Sequence, residues 1–123
     1  MLIVPMHIYA VRVIPENGGP STIGRLEIYN AGEWGSVCDR GWDQLDAIVA
    51  CVRMGYQGGN MYTNTAGPGS GTVWLADLEC TGAETSLKSC THSAWGVTDN
   101  YCRRHDNDAG IMCYTHSGSS VYE

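Results

Sequence analysis

Cysteine offers the widest range of chemistry in this chain, because thiolates bind metals, exchange electrons and form disulfides. The chain has six cysteines, and 12, 28, 9, 11 and 10 residues separate consecutive ones. Zinc sites usually place two cysteines close together, as in C-x2-C, and this chain has no such pair. An even number of cysteines in a small glycine-rich domain instead indicates three disulfides and an oxidising compartment. The six are Cys38, Cys51, Cys80, Cys90, Cys102 and Cys113.

The stretch CRRHDNDAGIMC, from Cys102 to Cys113, concentrates polar and charged side chains between two cysteines. A metal site, a redox centre and a disulfide-anchored binding loop all fit its composition. Asp106, Asp108 and Gly110 imitate the start of an EF-hand loop, but the acidic ligand at its fifth position and the glutamate at its twelfth are missing. The EF-hand is therefore excluded, and a calcium site assembled from separate segments stays open.

The other reactive side chains form no catalytic pattern. The histidines His7, His92, His105 and His116 are scattered, and no pair of carboxylates has a spacing that suggests acid–base catalysis. Ser70 lies in a glycine-rich segment without the surroundings of a nucleophile elbow. We expect a protein that is not an enzyme.

Length and charge narrow the class further. The 123 residues suffice for one domain, and the net charge of −6 disfavours nucleic acid as a specific partner. No run approaches the roughly 20 apolar residues of a membrane span. The apolar start at residues 2–6 is too short for a secretory signal. If the protein is extracellular, we expect this chain to be a mature or excised domain.

The elements that position these side chains are short strands and one helix. Alternating polarity and turn signals predict strands at 8–13, 24–29, 34–38, 73–78 and 109–114, and a long loop at 57–72. The helix follows an N-cap at Asp43 with Asp46 in capping-box spacing, and Gly55 fits its end. Its apolar stripe at i, i+3, i+4 and i+7 consists of Leu45, Ile48, Val49 and Val52.

Several motifs occur together in an order that resembles the scavenger receptor cysteine-rich domain: GRLEIYNAGEWGSVCDRGWDQLDAIVACVRMGY, VWLADLECTGAETSLKSC, AWG and DAGIMC. The resemblance covers residues 10–114, leaving an N-terminal flank at 1–9 and a polar tail at 115–123. Ile23 and Tyr56 stand where an eight-cysteine type of the family has two more cysteines, so the chain resembles the six-cysteine type. The resemblance implies an α+β fold, in which a curved antiparallel sheet of short strands cradles one main helix with a short helical turn and long loops.

The resemblance also implies three disulfides, which the sequence alone leaves unpaired. They are Cys38–Cys102, Cys51–Cys113 and Cys80–Cys90. In this scheme Cys102 and Cys113 do not bond each other. The stretch between them becomes a loop anchored at both ends, and redox catalysis is disfavoured.

Members of the family can bind calcium at two places, and this chain departs from the pattern at the first. Asp39 matches one ligand there, while Arg40 replaces a second aspartate and Asn107 replaces a glutamate. Calcium needs several oxygens and usually negative charge, so we expect weak binding or none. No cofactor is required.

At the second calcium position Asp77 matches the pattern. Asp99 or Asn100 would be its partner, and Glu79 could contribute. Here we expect at most weak calcium binding. The alternative is a set of solvated surface carboxylates.

The implied Cys38–Cys102 bridge also brings basic residues together. It places Arg40 near Arg103 and Arg104, and arginine binds carboxylate, sulfate and phosphate groups bidentately. A surface salt-bridge network is the alternative interpretation. We therefore predict a non-catalytic extracellular binding module of scavenger-receptor type for polyanionic glycans, microbial surface polymers or extracellular proteins. The alternatives are an ancillary domain of a secreted protease or oxidase, and a cell-adhesion or gamete receptor domain.

Overall fold

The computed structural model describes residues 10–115, where the chain forms six strands, a ten-residue helix and a four-residue helix. A 3₁₀ turn, Leu87–Ser89, lies between the fifth strand and the second helix. The predicted terminal flank and tail lie outside the described residues, apart from Thr115, as do His7 and His116. In chain order the elements are β1 Val11–Pro15, β2 Ile23–Asn30, β3 Glu33–Val37, α1 Gln44–Arg53, β4 Gly58–Tyr62, β5 Val73–Leu75, α2 Asn100–Arg103 and β6 Gly110–Tyr114.

The strands form one curled sheet with the order β4-β6-β2-β3-β5, and β1 pairs with the other edge of β2. Four pairings are antiparallel. The β3–β5 pairing is parallel, so the sheet is mixed rather than wholly antiparallel. The α+β class and the curved sheet around one main helix are confirmed.

The strand β4 lies inside the segment predicted as loop. Its first residues are Gly58 and Gly59, whose composition indicates a turn. A Cβ atom at Gly59 would lie 2.2 Å from Sγ of Cys51 and 2.6 Å from the carbonyl oxygen of Met112. Glycine is therefore used here for the close approach of the helix to the sheet, not for a turn.

Helix α1 begins as predicted but buries a different face. Both hydrogen bonds of the Asp43–Asp46 capping box are present, and Asp46 is fully buried. The buried side chains are otherwise mostly small, including Ala47 and Ala50, whereas Leu45 is 43% exposed and Val52 is 49% exposed. The predicted stripe was thus wrong at its two ends, because the close contact with β4 favours small residues over large ones.

All six cysteines are paired, in the three bridges that the family resemblance implied. Cys51–Cys113 joins α1 to β6. Cys38–Cys102 joins the end of β3 to α2, and their Cα atoms are 5.4 Å apart. The Cys38–Cys102 bridge holds together the two segments that carry the predicted site residues.

Candidate functional site

Arg40 lies between two carboxylates on the surface. Its Nε and Nη2 atoms donate to the two carboxylate oxygens of Asp77, at 2.9 and 3.0 Å. Its Nη1 atom donates to Oδ2 of Asp99 at 2.6 Å. The backbone N–H of Asp77 also donates to the carbonyl oxygen of Arg40, at 3.0 Å. We call these three residues the Arg40 bridge.

The Arg40 bridge favours the charged forms of Arg40 and Asp99. The hydrogen bond from Arg40 keeps the pKa of Asp99 below its ordinary value. The hydrogen bonds to Asp77 and Asp99 in turn raise the pKa of the Arg40 guanidinium above its already high value. A cation that is hydrogen-bonded to both carboxylates is therefore already present, and it belongs to the chain itself.

The second predicted calcium position coincides with the Arg40 bridge. The structure brings Asp77 and Asp99 together, but around a guanidinium. Asn100 begins α2, and its Oδ1 atom accepts a hydrogen bond from Arg103. Glu79 is exposed, and its side chain has no hydrogen-bond or ion-pair partner within residues 10–115. Calcium binding at these two aspartates requires the Arg40 side chain to leave.

The first predicted calcium position retains one carboxylate. Asp39 and Asn107 are adjacent, because the Asp39 N–H donates to the Asn107 carbonyl oxygen at 2.7 Å. Tyr101 donates its hydroxyl to Oδ1 of Asp39 at 2.9 Å, and Asn107 donates its amide to the Tyr101 carbonyl oxygen at 2.8 Å. The Arg40 side chain turns away to Asp77. One carboxylate and one amide are a poor ligand set for calcium, which takes six to eight oxygens.

Arg103 and Arg104, unlike Arg40, keep their positive charges available. Both are exposed at the end of α2. Arg103 hydrogen-bonds the neutral amide of Asn100, and neither arginine pairs with a carboxylate in the described part of the chain. Two of the three predicted basic residues are thus accessible to a ligand.

An open groove of about 830 Å³ runs beside this region. One wall is the end of β4 with the segment that follows it, at 61–68, and the other is the loop at 105–108. Trp42 lines it and donates its indole N–H to the Gly110 carbonyl oxygen at 2.9 Å. The wall after β4 is held in place by Arg25, which donates to the Gly67 carbonyl oxygen at 2.7 Å. The sequence does not reveal this groove, because the composition of 57–72 predicts a long loop and β4 begins inside it.

Ser36, His105 and Asp108 have the residue types of a hydrolytic triad but not its geometry. Ser36 is 1% exposed and donates to Oδ2 of Asp108 at 3.0 Å. Nδ1 of His105 faces this same carboxylate at 2.9 Å, while Nε2 contacts the Gly71 carbonyl oxygen at 2.6 Å. A triad needs its serine and its aspartate at opposite ring nitrogens. The cluster therefore anchors the 69–72 segment rather than activating a nucleophile.

The comparisons with known proteins establish the family. A model of the scavenger receptor cysteine-rich domain matches residues 16–114. Solved structures agree: the dimeric form of this domain from mouse MARCO is 42% identical, with a TM-score of 0.67 over 74% of this chain and 85% of that chain. The third such domain of murine neurotrypsin is 31% identical, with a TM-score of 0.71 over 84% of this chain and 94% of that chain. The chain belongs to the scavenger receptor cysteine-rich family.

Curated relatives are much longer than this chain. Galectin-3-binding protein of Rattus norvegicus is 42% identical over 99 residues, which are 79% of this chain and 17% of that protein. Macrophage receptor MARCO of Mus musculus is 41% identical over 77% of this chain and 18% of that protein. Lysyl oxidase homolog 4 of Bos taurus is 38% identical over 89% of this chain and 14% of that protein. The chain thus spans less than a fifth of each.

Family membership supports a ligand-binding module of a generally non-catalytic kind, found in extracellular proteins. Between residues 10 and 115, no helix has the length and apolar character needed to cross a membrane.

Proposed function

We propose that this chain is a non-catalytic, extracellular ligand-binding module of scavenger-receptor type that recognises polyanionic ligands, such as sulfated glycans and microbial surface polymers, through Arg103 and Arg104. The observation that carries the proposal is that two adjacent, exposed arginines lack a carboxylate partner within residues 10–115. Calcium has no required role in this binding.

The disulfide makes the two arginines a positioned pair rather than a mobile tail. Cys102 lies in α2 directly before Arg103 and is fully buried in its bridge to Cys38. Guanidinium groups bind sulfate, phosphate and carboxylate in a bidentate manner. Arg40 takes no part, since its donors are engaged by Asp77 and Asp99.

The attraction has to be local, because the chain as a whole carries a net charge of −6. At physiological salt, exposed charges are screened over about 8 Å. Binding to a polyanion should therefore weaken as salt concentration rises. The name of one relative, Macrophage receptor MARCO, is compatible with a receptor role for this chain.

A pair of charge-matched variants tests the proposal. Arg103→Ala with Arg104→Ala takes the net charge from −6 to −8, as does the control, Arg53→Ala with Lys88→Ala. With dextran sulfate as the probe, we expect the first variant to bind about tenfold more weakly and the control to bind within about twofold of the parent. Equal losses in both variants, or a requirement for calcium, would contradict the proposal.

A second candidate is an ancillary domain of a larger secreted enzyme. The observation that favours it is the match to Lysyl oxidase homolog 4 over 89% of this chain. Sequencing the complete transcript separates the two candidates: an oxidase or protease segment in the same reading frame supports the second, and its absence from the full reading frame removes it.

A further inference from the structure

We propose that the groove between residues 61–68 and 105–108 is a second binding site, which takes a basic segment of a protein partner. A lysine or arginine of that segment would lay its alkyl stem on Met61 and Tyr62 and direct its charged group to Asp39 and Asp106. This site shares no residue with the proposed polyanion site.

The apolar wall of the groove comes from the end of β4, an edge strand of the sheet. Met61 is 52% exposed and Tyr62 is 49% exposed, so each presents a large apolar surface to solvent. The Met61 N–H already donates to Oδ1 of Asn60 at 2.9 Å. Recognition therefore rests on the side chains rather than on addition of a further strand.

The opposite wall is acidic. Within residues 10–115, the lining includes Asp39, Asp106 and Asp108 but no lysine or arginine. Asp108 is buried, accepts hydrogen bonds from Ser36 and from the Gly69 N–H and faces His105, so its oxygens are already engaged within the fold.

The negative charge that is available to a ligand in the groove lies on Asp39 and Asp106. In the described part of the chain, the Asp39 carboxylate accepts one side-chain hydrogen bond, at Oδ1, from the hydroxyl of Tyr101. Asp106 is exposed, and its side chain has no hydrogen bond or ion pair with any other residue between 10 and 115. Arg40, next to Asp39 in sequence, is engaged by Asp77 and Asp99 on its other side.

A basic side chain matches both walls at once. Lysine and arginine place their apolar stems on apolar surface and keep the charged end in a polar region. The ring of Tyr62 can add a cation–π contact. A purely apolar segment would leave the aspartates uncompensated, and an acidic segment would be repelled by them.

The test measures binding of a blocked, fluorescein-labelled peptide with a central leucine-lysine-arginine-leucine segment between glycine-serine spacers. Its twin carries glutamate in place of both basic residues, and a calcium chelator is present throughout. We expect the basic peptide to bind the intact chain and the twin to show no binding.

Two charge-matched variants locate the site. Asp39→Asn with Asp106→Asn takes the net charge from −6 to −4, as does the control, Glu16→Gln with Glu79→Gln, at exposed positions outside the groove. We expect about tenfold weaker binding for the groove variant and less than twofold for the control. A third variant, Met61→Ser, should weaken binding about threefold through loss of apolar contact.

The outcomes separate the two proposals. Arg103→Ala with Arg104→Ala should not weaken peptide binding, even if that variant leaves polyanion binding unchanged and so contradicts the proposed function. Equal losses of peptide affinity in the groove variant and its control would show that binding depends on net charge alone, and would overturn the groove proposal. Binding of the glutamate twin would overturn it as well.

Discussion

The Arg40 bridge and the groove both present aspartate side chains, which are paired with a cation in the Arg40 bridge but not in the groove. Each contains two exposed aspartates close to the Cys38–Cys102 disulfide. In the Arg40 bridge, Asp77 and Asp99 enclose a guanidinium at 2.6 to 3.0 Å. In the groove, Asp39 and Asp106 are exposed, and no lysine or arginine among residues 10–115 forms an ion pair with either. A pair of carboxylates therefore indicates a cation site only where the chain has not already supplied the cation.

The difference arises at two neighbouring residues. Asp39 and Arg40 are adjacent in sequence, yet Asp39 faces Tyr101 and the groove while Arg40 faces Asp77. The backbone fixes this divergence, because the Asp39 N–H pairs with the Asn107 carbonyl oxygen and the Arg40 carbonyl oxygen pairs with the Asp77 N–H. One charge reversal at position 40, relative to the family pattern, thus gives the two regions different electrostatic properties.

The largest effect should come from removing the bridge that both regions share. The double change Cys38→Ala with Cys102→Ala opens a loop of sequence separation 64. In the chain-entropy model we expect a loss of about 4 kcal/mol in the free energy of unfolding, measured by urea denaturation. Both the peptide and the dextran sulfate affinities should fall, since residues 39–40 and 103–108 lose their common anchor.

The Cys80–Cys90 bridge provides the control for this prediction. Its sequence separation is 10, so Cys80→Ala with Cys90→Ala should cost about 3 kcal/mol and spare both binding activities at temperatures where the fold persists. Should this variant lose both affinities while still folded, the two regions would depend on overall rigidity rather than on their own anchor.

A change at position 40 should convert the Arg40 bridge into a metal site. In Arg40→Asp, the cation leaves and a third carboxylate joins Asp77 and Asp99. We expect calcium binding with a Kd of about 0.1–1 mM, as in extracellular modules, and at least tenfold weaker binding by the parent, both by isothermal titration calorimetry. Adding Asp77→Asn to Arg40→Asp should abolish this calcium binding, because the other candidate position, beside Asp39 and Asn107, does not use Asp77.

Arg40→Lys is the matched control, because it keeps a cation between the aspartates, and it should not gain calcium affinity. Calcium binding by the parent as tight as that of Arg40→Asp would show that the guanidinium does not block the site. The distinction between the two regions would then disappear.

The sequence predicted those features that depend on local pattern. Alternating polarity located β2, and Asp43 with Asp46 located the start of α1. The six-cysteine pattern, through the family resemblance, fixed the bridges. These features are local or covalent, so they can be inferred without knowing which segments meet in three dimensions.

Features that depend on tertiary contact could not be predicted in this way. Gly58 and Gly59 indicate a loop until the contact of Gly59 with Cys51 is known. The disulfide implied by the family resemblance predicted that Arg40 lies near Arg103. Nothing in the sequence predicted that the Arg40 guanidinium hydrogen-bonds Asp77 instead. The groove walls are brought together by hydrogen bonds between residues distant in the chain, such as that from Gly69 to Asp108.

A third carboxylate, Asp46, has neither the cation of the Arg40 bridge nor the solvent exposure of the groove, and its effect should appear only as pH changes. It is fully buried, and burial raises its pKa to about 6, although its oxygens accept hydrogen bonds from the backbone N–H groups of Asp43 and Cys80 at 2.9 Å each. In the unfolded chain the group ionises near its ordinary value of 3.8. Between these values the folded chain holds one more proton than the unfolded chain, so the free energy of unfolding should fall as pH rises from about 4 to about 6.

Urea denaturation of the parent and of Asp46→Asn across this pH range isolates the contribution, because the amide does not titrate. The variant should be less stable at pH 4, and the difference should shrink by about 2 kcal/mol as pH rises to 7. Glu79→Gln, at an exposed carboxylate, should show no such trend. A difference that stays constant with pH would mean that the two backbone donors offset the cost of burying the charge, and that the pKa of Asp46 is not raised in the folded chain.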